Sequence, residues 1–169
     1  MREILRKSAT PAVVLSWCFL FAFSQFALSQ SQANNDQAEI RSLIPEFVAA
    51  WDRADANALA TLFAQDGDLV IPTGNVFSGR QTIAGFYSSV FASGYKGSKG
   101  GGEIMRLRLV RSDVAVGDGT WSISGAHDKE GREELPERGL FTVMAIKQEG
   151  KWRISALREQ TSATELRSH

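Results

Sequence analysis

The sequence predicts an α+β domain, with helices packed on one face of a curved, mostly antiparallel sheet. Three observations carry this. Between Asp36 and Val90 apolar residues recur at helical spacing, and from Glu103 onward the period switches to two. The third is size: 169 residues give room for one domain and little more.

The elements follow in order. Ile40, Leu43, Ile44, Phe47, Val48 and Trp51 make one apolar stripe, opened by Asp36 as the expected cap. Pro45 lies inside the stripe and is expected to kink the helix or mark its start, because it lacks a backbone donor. Asp55 caps a short second helix carrying Leu59, Leu62 and Phe63. Asp66-Gly67 is expected to turn the chain into a strand over 69–72. Ser78 with Gln81 three residues later reads as a capping box. The third helix then carries Ile83, Phe86, Tyr87 and Val90 on one face and stops at Gly94. Met105, Leu107 and Leu109 alternate with Arg106 and Arg108. After a Ser112-Asp113 turn comes a strand from Val114 to about Ala126, with Trp121, Ile123 and Gly125 on one face. A charged loop over 127–136, a strand over 140–147, a Glu149-Gly150 hairpin turn and a strand over 152–159 close a four-stranded antiparallel meander.

Composition narrows the function classes. Nineteen basic and nineteen acidic residues cancel, which argues against a strongly basic nucleic-acid binder. A single Cys excludes a disulfide framework and a Cys-based zinc site, and two His make a His-rich metal site unexpected. No metal and no cofactor are expected. The first residues read as an address. Arg2, Arg6 and Lys7 precede an apolar run over 12–23, and Ala27-Leu28-Ser29 offers small residues for cleavage after Ser29. The expected organisation is a secretory signal peptide over 1–29, a mature N-terminal segment over 30–35, one domain over 36–160 and a tail over 161–169. Export to the periplasm or outside the cell follows, with Cys18 removed and no stable membrane insertion afterwards.

Several stretches resemble a known group. Phe47-Val48-Ala49-Ala50-Trp51, Arg53-Ala54-Asp55 and Leu62-Phe63-Ala64-Gln65-Asp66-Gly67-Asp68 look like the opening of the nuclear transport factor two-like superfamily. Ser78-Gly79-Arg80, Ile83 and Phe86-Tyr87 continue the match, and 151–158 is similar to the superfamily's last strand. Within that group the chain most resembles the SnoaL-like, SgcJ/EcaC-type members. The resemblance implies a cone-shaped barrel of the cystatin-like, ketosteroid-isomerase-like kind, open at one end, with a pocket between helices and concave sheet. It does not imply one activity, because the superfamily holds enzymes, transport factors and assembly domains. Ketosteroid isomerase pairs an Asp base with a Tyr and a protonated Asp. The helix-one Tyr falls here on Phe47 and the catalytic Asp on Ile71, before Pro72. Phe donates no hydrogen bond and Ile takes no proton, so that chemistry is not expected.

What is expected is a pocket for a small apolar or aromatic molecule, lined by Trp51, Phe63, Phe86, Tyr87, Met105, Trp121 and Phe141. Arg158 shares the strand parity of Trp152, Ile154 and Ala156 and so points at the pocket, as a clamp for a carboxylate or enolate. His127 follows Trp121, Ile123 and Gly125 in phase and reaches the open end as acid or base. A cofactor-independent isomerase, cyclase or dehydratase would use these two residues. Glu137 and Arg138 read as salt-bridge partners across the sheet. The glycine-rich stretch 94–102 lacks phosphate-loop spacing and reads as a flexible connection or lid. Arg106, Arg108 and Arg111 read as a solvated outer face. Thr142, Met144 and Ile146 offer a face for a homodimer, or for an assembly domain without catalysis.

Overall fold

The computed structural model describes residues 12–134 and 137–161, with side chains from residue 30 onward. The start of the expected signal peptide and the tail beyond Thr161 lie outside the described residues. The described residues fall into two compact units, divided between Asn35 and Asp36. The described part of the first is helical backbone. Among the described residues no helix is long and apolar enough to cross a membrane.

The elements run α1 (Ala12–Asp52), α2 (Ala56–Thr61), β1 (Phe63–Val70), β2 (Val76–Ser78), α3 (Arg80–Val90), a wide π-type turn (Phe91–Tyr95), β3 (Lys99–Arg111), β4 (Val114–Ser124), β5 (Glu137–Gln148) and β6 (Lys151–Thr161). The six strands form one mixed, open sheet in the order β2-β1-β6-β5-β4-β3. Every neighbouring pair is antiparallel except β1 with β6, which run parallel. The predicted α+β class and the meander are both present. The sheet is not closed, because β2 and β3 remain edges.

Three boundary readings change for physical reasons. Asp36 is no cap. It lies inside α1, buried, and its carboxylate accepts from Lys147 Nζ at 2.6 Å and Trp152 Nε1 at 3.1 Å. Pro45 is exposed within α1 rather than at its start. The α3 N-terminus is Gly79 at φ 81°, with no side-chain cap bond, while Ser78 ends β2. Asp55 does cap α2, its side chain accepting from the Ala58 amide at 2.9 Å. Glu149 and Gly150 both take positive φ, as the tight hairpin between β5 and β6 requires.

Phe63 begins β1 rather than ending α2, and Asp66-Gly67 sits within β1 as an irregularity. There the carbonyl of Gly67 accepts from the Gly79 amide at 2.8 Å. Lys99 to Gly102 are not a loop but the first rungs of β3, paired with Ser124 to Trp121.

One-residue bulges on β3 and β6 then decide which side chains point inward. On β3, Ile104 pairs with Gly119 and Arg106 with Asp118, so Met105 is the extra residue. Ile104 is therefore buried, and Met105 is 58% exposed. On β6, Ile154 pairs with Ala145 and Ala156 with Met144, leaving Ser155 extra. Trp152 and Ile154 face the core before the bulge. After it the inward residues are Leu157 and Glu159. The core itself lies between the helices and this face, with Ile40, Leu59, Phe63, Leu69, Ile83 and Ile154 fully buried.

Candidate functional site

A cavity of about 380 Å³ lies between α1, α3 and the inner face of β3–β6. Its walls are mostly aromatic and aliphatic: Phe47 and Trp51 from α1, Phe86 and Tyr87 from α3, Trp121 from β4 and Phe141 from β5. Ile71 and Pro72, just past β1, and Leu157 from β6 complete much of the rest.

The rings are held in place. The Trp51 indole donates to Ser98 Oγ at 3.0 Å, and that fully buried hydroxyl donates to the Tyr95 carbonyl at 2.7 Å. The Trp51 ring meets Tyr87, Phe91 and Tyr95 edge-on, with centroids 6.2, 5.2 and 6.1 Å away. Phe86 stacks on Phe77 at 4.2 Å. Trp121 donates its indole N–H to the Leu140 carbonyl at 3.1 Å and lies across Gly139 on β5. Gly100 and Gly102 keep β3 close under α1, where a Cβ would touch Trp51 and Ile44.

Two carboxylates interrupt this apolar wall, Glu137 at the start of β5 and Glu159 on β6. The Tyr95 hydroxyl donates to Glu137 Oε1 at 2.5 Å. Burial and then that bond with Glu137 push the Tyr95 phenol well above its ordinary range. Burial pushes the Glu159 carboxyl up to about 7, with the Glu137 charge adding to the shift. Tyr87 is buried at 2% exposure, its hydroxyl has no hydrogen-bond partner among the described residues, and its phenol is raised by burial and by the Glu159 charge. Among the described residues no group of three or more His, Cys, Asp or Glu is placed to hold a metal ion.

The raised Glu159 value makes stability pH-dependent. The folded chain holds this proton up to about pH 7, while the unfolded chain loses it near the ordinary 4.5. The neutral acid therefore costs nothing below ~4.5, and stability falls as pH rises from there through about 7, by up to about 3 kcal/mol. Glu159→Gln is expected to remove this slope, raising the melting temperature more at pH ~8 than at pH ~4.5. Thermal melts of both proteins across that range read it directly.

Of the residues expected to line the pocket, Trp51, Phe86, Tyr87, Trp121 and Phe141 do so. Phe63 instead fills the core and Met105 points to solvent. The two polar candidates do not meet in the cavity. Arg158 lies on the other side of β6, its guanidinium paired with Asp68 and donating to the Leu157 carbonyl at 3.1 Å. The Ser155 bulge is the reason, since it inverts the parity counted from Trp152. His127 is exposed in the loop after β4, its amide donating to the Gly94 carbonyl at 3.1 Å and its backbone bridged to Glu133. Phe47 and Ile71, onto which the resemblance to ketosteroid isomerase would carry its Tyr and Asp, line the cavity. Sequence parity alone missed Glu159. Tyr95 falls in the glycine-rich stretch that the sequence presents as a loop, and Glu137 carries only the sequence signal of an ion-pair partner.

The sequence pattern of the SnoaL-like domain family matches residues 32–158. A comparison with curated proteins returned no significant match. Solved structures with the same fold include a domain of unknown function with a cystatin-like fold from Nostoc punctiforme. It is 23% identical with a TM-score of 0.68, over 79% of this chain and 81% of that one. A type 3 LinA hexachlorocyclohexane dehydrochlorinase from Novosphingobium barchaimii is 17% identical, TM-score 0.70, over 79% and 90%. A ketosteroid isomerase-like protein from Erwinia carotovora is 20% identical, TM-score 0.65, over 75% and 95%. At these identities the likeness is one of fold.

Proposed function

This chain belongs to the SnoaL-like domain family, and on that premise we propose that it is an exported protein binding a small apolar or aromatic molecule in the cavity. The observation that supports binding is the cavity itself: about 380 Å³, walled by rings fixed through hydrogen bonds and edge contacts. Such pre-formed apolar space with few convergent polar groups suits a small molecule, because ordering costs little on binding. Export rests on the basic start and apolar run of residues 1–29. Homodimer formation rests on Leu140 and Met144, 49% and 38% exposed on the outer face of β5.

A second reading has one observation behind it. Glu159 brings to the cavity a carboxyl whose value near 7 suits proton transfer. A cofactor-independent isomerase or eliminating enzyme would use Glu159 there, in place of Arg158 and His127.

Native mass spectrometry tests the main reading on mature protein purified from its own host and mixed with excess 1-naphthol. The expected result is a non-covalent adduct lost on denaturation and absent from Val90→Trp, which adds ring volume to the cavity wall. The mature mass is expected to start near residue 30, and the species to be a dimer. A bare wild-type protein under these conditions overturns binding. An intact leader overturns export, and a monomer overturns the dimer.

A further inference from the structure

Resting on the small-molecule reading above, we propose that the cavity takes an apolar or aromatic amine as its cation, the positive charge held between the Glu159 carboxylate and the surrounding ring faces. The charge distribution of the wall carries this. Among the described residues, Glu137 and Glu159 are the charged side chains that line the cavity, and no Lys, Arg or His lines it. Of the bases adjoining lining residues in the chain, Arg158 pairs with Asp68, Lys99 with Asp52 at 3.6 Å, and Arg138 is exposed. An anionic ligand would meet two acids and no counter-charge.

The two acids are not equivalent. Glu137 already accepts the Tyr95 hydroxyl. Glu159 has no hydrogen bond or ion pair among the described residues, so its charge is the one left to be matched. Around it Trp51, Tyr87 and Trp121 present ring surface, which attracts ammonium groups through the negative face of the π-system. A neutral hydrocarbon would use the rings and leave the Glu159 charge unmatched.

Binding is therefore linked to a proton. The titratable groups sharing the cavity with Glu159 are Glu137 on β5, Tyr87 on α3 and Tyr95 on the turn after α3. α1, β3 and β4 present Phe47, Trp51, glycines, Trp121 and Ile123, none of which titrates. A cation needs Glu159 ionised, and burial holds its proton to about pH 7. Affinity for a permanent cation then rises with pH and levels off above that value.

The test titrates the full mature protein with three probes, following tryptophan fluorescence. They are phenyltrimethylammonium, its uncharged carbon isostere tert-butylbenzene, and the anion 4-tert-butylbenzoate. The cation is expected to bind tightest at pH ~8 and to weaken about tenfold by pH ~6, as one proton competes for the site. The tert-butylbenzene affinity is expected to stay level across that range. Glu159→Gln is expected to abolish the pH dependence and the preference for the cation while leaving tert-butylbenzene bound. That retained binding also shows that the variant is folded. Tert-butylbenzene or the benzoate binding as tightly as the cation at pH ~8 overturns this proposal and leaves the small-molecule reading standing. Failure of all three to bind overturns both.

Discussion

Asp36→Ala is expected to lower the unfolding free energy by about 3 kcal/mol, because it leaves a largely buried ammonium without its counter-ion. Lys147 Nζ sits 2.6 Å from Asp36, with side-chain exposures of 22% and 6%. The Trp152 indole N–H donates to the same oxygen at 3.1 Å, and the Lys147 charge lies 5.9 Å from that ring's centroid. One carboxylate thus ties α1 to β5 and β6 at once. Loss of a helix cap alone would cost about 1 kcal/mol. Urea unfolding of Asp36→Ala beside Trp152→Phe separates these accounts. The second variant keeps an aromatic ring and loses a single hydrogen bond, at about 1 kcal/mol. A loss of only ~1 kcal/mol in Asp36→Ala as well would show that the buried pair contributes nothing beyond a cap.

Gly139→Ala is expected to destabilise by about 3 kcal/mol or more. A Cβ at this position would lie 1.9 Å from the Gln160 carbonyl oxygen and 2.7 Å from Trp121 Nε1. The first obstacle is backbone on β6 and cannot rotate away. The second is the indole that forms part of the cavity wall. Strand separation or loss of the Trp121 position follows, and the variant is expected to show a reduced Tm together with shifted tryptophan emission. Gly85→Ala is the control. It sits in the middle of α3 with nothing within 4 Å of its Cβ. Alanine there is expected to stabilise by about 0.5–1 kcal/mol through helix propensity. Equal effects at the two positions would mean that the close approach of β5 to β6 and Trp121 does not constrain the fold.

The helical stripe from Ile40 to Trp51, the face of Ile83, Phe86 and Tyr87, and the period-two run after residue 103 were legible because each repeats a local spacing. So was the Asp55 cap, whose partner Ala58 is three residues away. The site was half legible. Trp51, Phe86, Tyr87, Trp121 and Phe141 reach the cavity because their elements are regular up to those positions. Met105 and Arg158 leave the face that alternation assigns them because parity does not carry across a bulge, where one extra residue exchanges the two faces of a strand. Phe63 leaves the cavity because it meets Ile154 across the parallel β1–β6 pair in the core. Asp36 resembled a cap by position, yet its partners lie 111 and 116 residues away.

By itself, then, the sequence determined the α+β class, the order of helices before meander and the aromatic stock of the cavity. These depend on residue type and on neighbours within a turn or two. Tertiary structure decided which charge faces the cavity. The Ser155 bulge turns Arg158 outward onto Asp68 and Glu159 inward beside Tyr87, converting an expected anion clamp into an acidic, ring-lined cavity. A bulge arises from how a strand fits its neighbours on both sides, and that fit is not written in the alternation of the strand itself.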